Sequence, residues 1–393
     1  MKTTIYMILL ILLCVSLSNA DDKGTVFIKS SWDEVIKKAK AENKLIFVDA
    51  YTDWCGWCGV MDEKTFSDST IAEFLHKHFV PVKFDMEKGD GVKLAIKYCV
   101  TGFPSFLVFN SNGRLVFTTA GYQPPVDFIE ELKKAIDPQY WDDAPGVSES
   151  IDMNYPDFYK AAFIKNEDGR ATWPDSATVP EYFSQNKDWL SEISWLVIQR
   201  FKAPNEVYDY FLKNFEIYNE LFYDEDVTHQ LYIIFHHKLY EAVEQKSEQL
   251  LDDLVSMAYK YLPERKEENA NFYTITYYKM TENWSSYFQS VKSNIDKNGF
   301  DDINGINEYC WTIYENVDDK EAIQSAIIWM EKVTKKDPQW AYMDTYASLL
   351  FKNGDYQKAK EIAEKAIKTG KENNKKIEPT EELLEKILEE MNK

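Results

Sequence analysis

Residues 54–58 read WCGWC, two cysteines separated by two residues and each preceded by tryptophan. Such a pair can form half of a zinc site, a structural disulfide or a reversible redox couple. A zinc site needs four ligands, and the chain has no second C-x-x-C and no Cys/His cluster to complete one. If a helix begins at Cys55, then Cys58 lies one turn on. Residues three apart share a helix face, with side chains about 5–6 Å apart, which is within disulfide reach. The unpaired N–H groups and positive dipole end at a helix N-terminus stabilise a thiolate. Cys55 is then the nucleophile that attacks a partner disulfide, and Cys58 resolves the mixed disulfide.

The elements around the pair are those of an α/β unit. TVFIK reads as a short strand, followed by a helix capped at Ser30 or Ser31 with Trp32, Val35, Ile36 and Ala39 on one face. KLIFVDAY (44–51) is a nearly continuous apolar run, as a strand buried on both faces requires, and it leads straight into the cysteines. A helix is expected from Gly56 to about Thr65, then one capped by Ser67 or Asp68, a strand at 80–85 and a helix through DGVKLAIKYC. PSFLVFN and RLVFTTAG flank an Asn112-Gly113 turn, a strong hairpin signal, and a proline-led helix ends the unit.

This unit resembles the thioredoxin superfamily over residues 25–138, on the joint spacing of Asp49, Cys55, Cys58 and Pro104. The resemblance implies catalytic roles for these four. Asp49 would be buried and would accept or relay the proton of Cys58. TGFPSFLVF matches the segment whose proline is cis and faces the dithiol, making Pro104 that residue and Phe103 the substrate-facing neighbour. Trp54, Gly56 and Trp57 would contact substrate, and Lys83 would take part in the proton relay. No metal and no cofactor are implied. Trp57 stands where thioredoxins usually have proline, which leaves the direction of electron flow open among reductase, oxidase and isomerase. Cys99 occupies a position where many thioredoxins have glycine and reads as a small buried residue, as does Cys310.

The first twenty residues have a basic start at Lys2, an apolar run from Ile5 to Leu17 and small residues at Ser18 and Ala20. They read as a signal peptide (1–20), so the expected location is periplasmic or secreted, with a retained anchor as the alternative. The run is shorter than the roughly 18 residues of a membrane span. The rest divides into a thioredoxin-like domain (21–139), a linker (140–152) and an all-α domain (153–393).

The helical region contains a repeat: residues 326–338 align with 359–371 at a shift of 33. Tyr346, Ala347, Leu350, Gly354, Tyr356, Ala359 and Ala366 resemble tetratricopeptide packing positions, giving repeats near 305–371. The expected fold class is thus multidomain, an α/β thioredoxin fold followed by an all-α helical-repeat domain.

The formal charge of −21 excludes nucleic acid and anionic lipid as natural partners. That charge is concentrated after residue 140, where 29 Lys and Arg face 48 Asp and Glu, against 15 and 18 in residues 21–140. The expected function is an exported thiol-disulfide oxidoreductase. Its partners are disulfide- or thiol-bearing exported proteins and an upstream electron donor. The alternative is a helical-repeat binding scaffold with the dithiol as a redox-dependent clamp, isomerase or chaperone.

Overall fold

The computed structural model describes residues 24–166 and 168–393. The expected signal peptide lies outside the described residues. The described residues fall into two compact units, the second of which begins at Ile234 and ends at Lys393.

The first unit begins with a single bridge rather than the expected strand: only Ile28 pairs, in parallel, with Val82. Helix α1 (Trp32–Glu42) is started by a capping box between Ser31 and Glu34. Then come β1 (Leu45–Tyr51), α2 (Gly56–Lys64), α3 (Ser69–His78), β2 (Phe79–Asp85), α4 (Gly89–Lys97), β3 (Ser105–Phe109), β4 (Leu115–Ala120) and α5 (Pro125–Ala135). Asp68 caps α3 by accepting from the N–H groups of Thr70 and Ile71 at 2.8 and 3.1 Å. The sheet order is β2-β1-β3-β4, with β1 and β2 parallel and the other pairs antiparallel. The β3–β4 hairpin turns at Gly113, whose φ of +92° only glycine adopts readily.

Side chains alternate along β1, and this alternation decides where the chemistry sits. Ile46, Val48 and Ala50 enter a core with Trp32, Val35 and Leu94, from α1 and α4. Phe47 enters the opposite core with Met61 of α2, Leu75 of α3 and Phe128 of α5. Asp49 has the parity of Phe47, so it faces the layer that contains α2.

The expected linker at 140–152 is instead a packed strap. Ala144 and Val147 are buried. The N–H of Asp142 donates to Val116 O at 3.1 Å, and that of Gly146 to Leu221 O at 2.8 Å. The first unit therefore continues through α6 (Asp157–Ala161), α7 (Thr178–Gln185), α8 (Glu192–Arg200), α9 (Asn205–Lys213), α10 (Phe215–Leu221) and the start of α11 (Asp224–Glu244). A buried ion pair between Lys97 of α4 and Glu192 of α8 joins the two parts, and Tyr159 Oη donates to Ile96 O at 2.8 Å. Trp195 packs with Phe211, Tyr218 and Phe222 in the core of these helices. The division expected near residue 150 thus falls inside α11, because contacts distant in sequence outweigh the loop-like composition of the strap.

The second unit is helical: the rest of α11, then α12 (Glu248–Tyr261), α13 (Lys266–Met280), α14 (Trp284–Asn298), α15 (Ile303–Asn316), α16 (Lys320–Lys336), α17 (Trp340–Asn353), α18 (Tyr356–Glu372) and α19 (Glu378–Met391). Its core contains Cys310, Ala326, Met330, Tyr346, Ala347, Leu350 and Ala359. Gly354 closes α17 in the left-handed conformation at φ +85° and lets the chain reverse into α18.

Candidate active site

Cys55 is the N-cap of α2, and the N–H of Cys58 lies 3.1 Å from its sulfur. The two cysteines are joined in a disulfide, with Cα atoms 5.3 Å apart. They differ in access: Cys58 is buried at 3% exposure, while Cys55 is half-buried. An incoming sulfur can reach Cys55 first. A thiolate released there sits at the positive end of α2, where unpaired N–H groups and the helix dipole favour it.

Asp49 is 1% exposed on β1. Burial pushes its carboxyl up to about 6, against the pull of the Lys83 ammonium. Lys83 Nζ stands 2.9 Å from Asp49 Oδ2. The same ammonium donates to both carboxylate oxygens of Asp62, at 2.6 and 2.8 Å. Burial opposes the charge on Lys83, but the two carboxylates outweigh it and its pKa is raised. Asp62 is four residues after Cys58 on α2, and residues so spaced share a helix face. The lysine therefore ties Asp49 to the face of α2 that carries Cys58. Sequence reasoning named Asp49 and Lys83 but missed Asp62, although its spacing from Cys58 was available as a signal.

Trp54, Gly56 and Trp57 adjoin the two cysteines in the chain. Trp54 and Trp57 are 63% and 62% exposed. Trp57 stacks on Tyr122 at a centroid distance of 5.7 Å. The Phe103–Pro104 peptide bond is cis. Phe103 meets the Trp54 ring edge-on at 5.9 Å, which brings this loop beside the residue preceding Cys55. Pro104 O accepts from Gly121 N–H at 2.9 Å. Gly56 opens α2, and nothing lies within 4 Å of a Cβ placed on it. Glu87, which accepts from Trp54 Nε1–H at 2.7 Å, was not legible as a site residue.

The two other described cysteines are not disulfide-bonded. Cys99 is half-buried, and desolvation pushes its thiol up to about 12. Cys310 is fully enclosed in the helical core, and its thiol is raised further by the same cause. Among the described residues, no group of three or more His, Cys, Asp or Glu side chains is placed to hold a metal ion.

Residues 26–136 match the family model described as "Thioredox_DsbH: Protein of unknown function, DUF255". The N-terminal domain is thioredoxin-like. Within this domain the chain is 29% identical over 106 residues to the thiol:disulfide interchange protein DsbD of Colwellia psychrerythraea, covering 26% of this chain and 17% of that protein. It is 32% identical over 103 residues to the protein disulfide-isomerase of Triticum aestivum, covering 25% of this chain and 19% of that one. The chain thus spans less than a fifth of the length of either relative. A solution structure of a Bacteroides thetaiotaomicron protein described as a disulphide-isomerase is 38% identical, with 29% of this chain and 95% of that one covered, at a TM-score of 0.28. These similarities concern the thioredoxin-like domain.

Proposed function

We propose that the chain is a thiol-disulfide oxidoreductase that reduces disulfides in exported proteins. The observation that carries the reading is the asymmetric pair: an accessible Cys55 at a helix N-terminus, disulfide-bonded to a buried Cys58, with a proton-holding carboxyl at Asp49 on the same side of the sheet.

In the reducing direction, Cys55 thiolate attacks one sulfur of the partner disulfide. A mixed disulfide forms, and the partner's other sulfur leaves as a thiolate that takes a proton from water. Asp49 accepts the Cys58 thiol proton, with Lys83 holding the carboxylate that receives it. Cys58 thiolate then attacks Cys55 Sγ, the Cys55–Cys58 bond closes as the Cys55–partner bond breaks, and the partner sulfur held by Cys55 leaves as a thiolate that takes the proton from Asp49. The partner gains two electrons and the dithiol loses two, which an upstream electron donor returns. Phe103 and Pro104 present backbone to the substrate segment, while Trp54, Gly56 and Trp57 line the exposed groove beside it.

Export rests on the leader-like residues 1–20; among the described residues no helix is long and apolar enough to cross a membrane. The acidic helices, with tetratricopeptide-like packing through α15–α18, supply a partner surface. In a second reading this surface is the main activity and the dithiol a clamp or isomerase. The buried packing positions Tyr346, Ala347, Leu350, Ala359 and Ala366 favour an ordered helical stack.

Replacing Cys55 with Ser is expected to reduce turnover of a model disulfide to background while leaving the far-UV spectrum unchanged. Undiminished turnover overturns the mechanism. Equilibration with glutathione sets the direction: a potential near thioredoxin's, about −270 mV, fits a reductase, and one near −120 mV fits an oxidant.

A further inference from the structure

Trp54 immediately precedes the nucleophilic cysteine, and its indole is mostly exposed, so packing alone does not orient it. Phe103 meets one edge of the ring. The indole Nε1–H donates to Glu87 Oε1 at 2.7 Å. The Lys165 ammonium lies 5.4 Å from the ring centroid and 2.7 Å from that same Glu87 oxygen. Lys165 comes after α6, outside the thioredoxin-like domain. It is held by an isolated antiparallel bridge to Ala171, and the next residue's N–H, from Asn166, donates to Arg170 O at 2.9 Å.

We propose that Lys165 is a positioning residue of the redox site, fixing the Trp54 indole as one wall of the groove that receives the polypeptide around a target disulfide. This rests on the oxidoreductase reading. A hydrogen bond between an exposed indole and a carboxylate still leaves the ring able to swing about that bond. The ammonium closes a triangle: it pairs with the carboxylate and sits against the π face, so ring, anion and cation fix one another. The segment after the thioredoxin-like domain thereby sets the shape of the substrate surface. A disulfide-bridged peptide is large enough to meet that wall, whereas a small aromatic disulfide reaches Cys55 without it.

The test uses the full chain labelled with 5-fluorotryptophan, the Trp54 resonance being assigned by its loss in Trp54→Phe. Lys165→Ala is expected to shift that 19F resonance. It is also expected to raise KM for a disulfide-bridged peptide roughly threefold to fivefold, the scale of one exposed cation–π contact, with kcat kept. KM for the small disulfide and the dithiol's reduction potential stay as in the wild type. Lys165→Arg restores both the resonance and the peptide KM. An unmoved resonance with unchanged KM overturns the inference. So does a KM change without a resonance shift, since the lysine then touches substrate directly, and so does a changed potential, since it then acts on the thiolate. A wild-type chain that reduces neither substrate defeats the oxidoreductase reading itself, while failure of Lys165→Ala alone, with both substrates reduced, defeats only this proposal.

Discussion

Two lysines of the first unit, Lys83 and Lys97, each pair with a carboxylate across the fold, yet they do different things. Lys83 keeps 18% of its side chain exposed and faces two carboxylates, Asp49 and Asp62. The two anions raise its pKa, and the deeper carboxyl, Asp49, keeps its own pKa high enough to exchange a proton near neutrality. Lys97 has no exposed side-chain surface and faces one carboxylate, Glu192. Burial lowers its pKa, with Glu192 only partly compensating. It also donates to Ser148 Oγ at 2.8 Å, and Glu192 Oε2 accepts from Ser148 N–H at 3.0 Å. The number of carboxylates and the degree of burial thus separate the charged cluster beside the dithiol helix α2 from a joint between the thioredoxin-like domain and the helices that follow it.

The largest expected effect tests the joint. Glu192→Ala leaves Lys97 buried without its counter-charge and should cost about 3–5 kcal/mol in urea unfolding of the full chain. The double change Lys97→Met with Glu192→Leu should recover most of that loss, because two apolar groups replace two desolvated charges. If Glu192→Ala unfolds like the wild type, the joint is not structural and the comparison fails.

A smaller, opposite effect is expected at the other lysine. Asp49 titrates at about 6 in the folded chain, above its ordinary value of 3.8. Between about pH 4 and pH 6 the folded chain therefore holds a proton that the unfolded chain has lost. Stability falls as pH rises through that window, and the full penalty applies above it. Asp49→Asn removes the penalty. It should stabilise the chain by up to about 3 kcal/mol at pH 7 and by nothing below about pH 4, and it should slow the resolving step of disulfide exchange. Chemical unfolding at the two pH values checks the sign, and a gain at pH 3 equal to that at pH 7 sinks the account.

The smallest effect concerns the exposed rim. Trp57→Ala removes one stacked contact with Tyr122 and should change stability by about 1 kcal/mol or less, while raising KM for a peptide disulfide. Equal KM values for the two proteins would remove Trp57 from the substrate surface.

Much of the site was legible because its signals are local. The C-x-x-C spacing, the apolar run of β1 that ends just before it, the Asp68 cap and the Asn-Gly turn each express a preference of a few neighbouring residues. The expected strand at TVFIK reduces to the Ile28 bridge, since local β propensity does not ensure a partner along its whole length. The strap at 140–152 looked like a linker because its Pro, Gly, Ser and acidic residues favour turns. Its backbone groups are nevertheless taken up by Val116 and Leu221.

The sequence by itself determined which two cysteines can pair, the order of the elements from α1 through α5 and the helical character of the remaining chain, since periodicity and spacing act within a few residues. Tertiary structure alone decided that Asp62 joins Asp49 through a lysine 21 residues further along the chain. It also decided that Glu192 neutralises a lysine 95 residues before it, that Lys165 reaches Trp54, and that the first compact unit ends within α11. These pairings arise where burial and charge make two distant groups stabilise one another, and no repeating pattern in the chain records them.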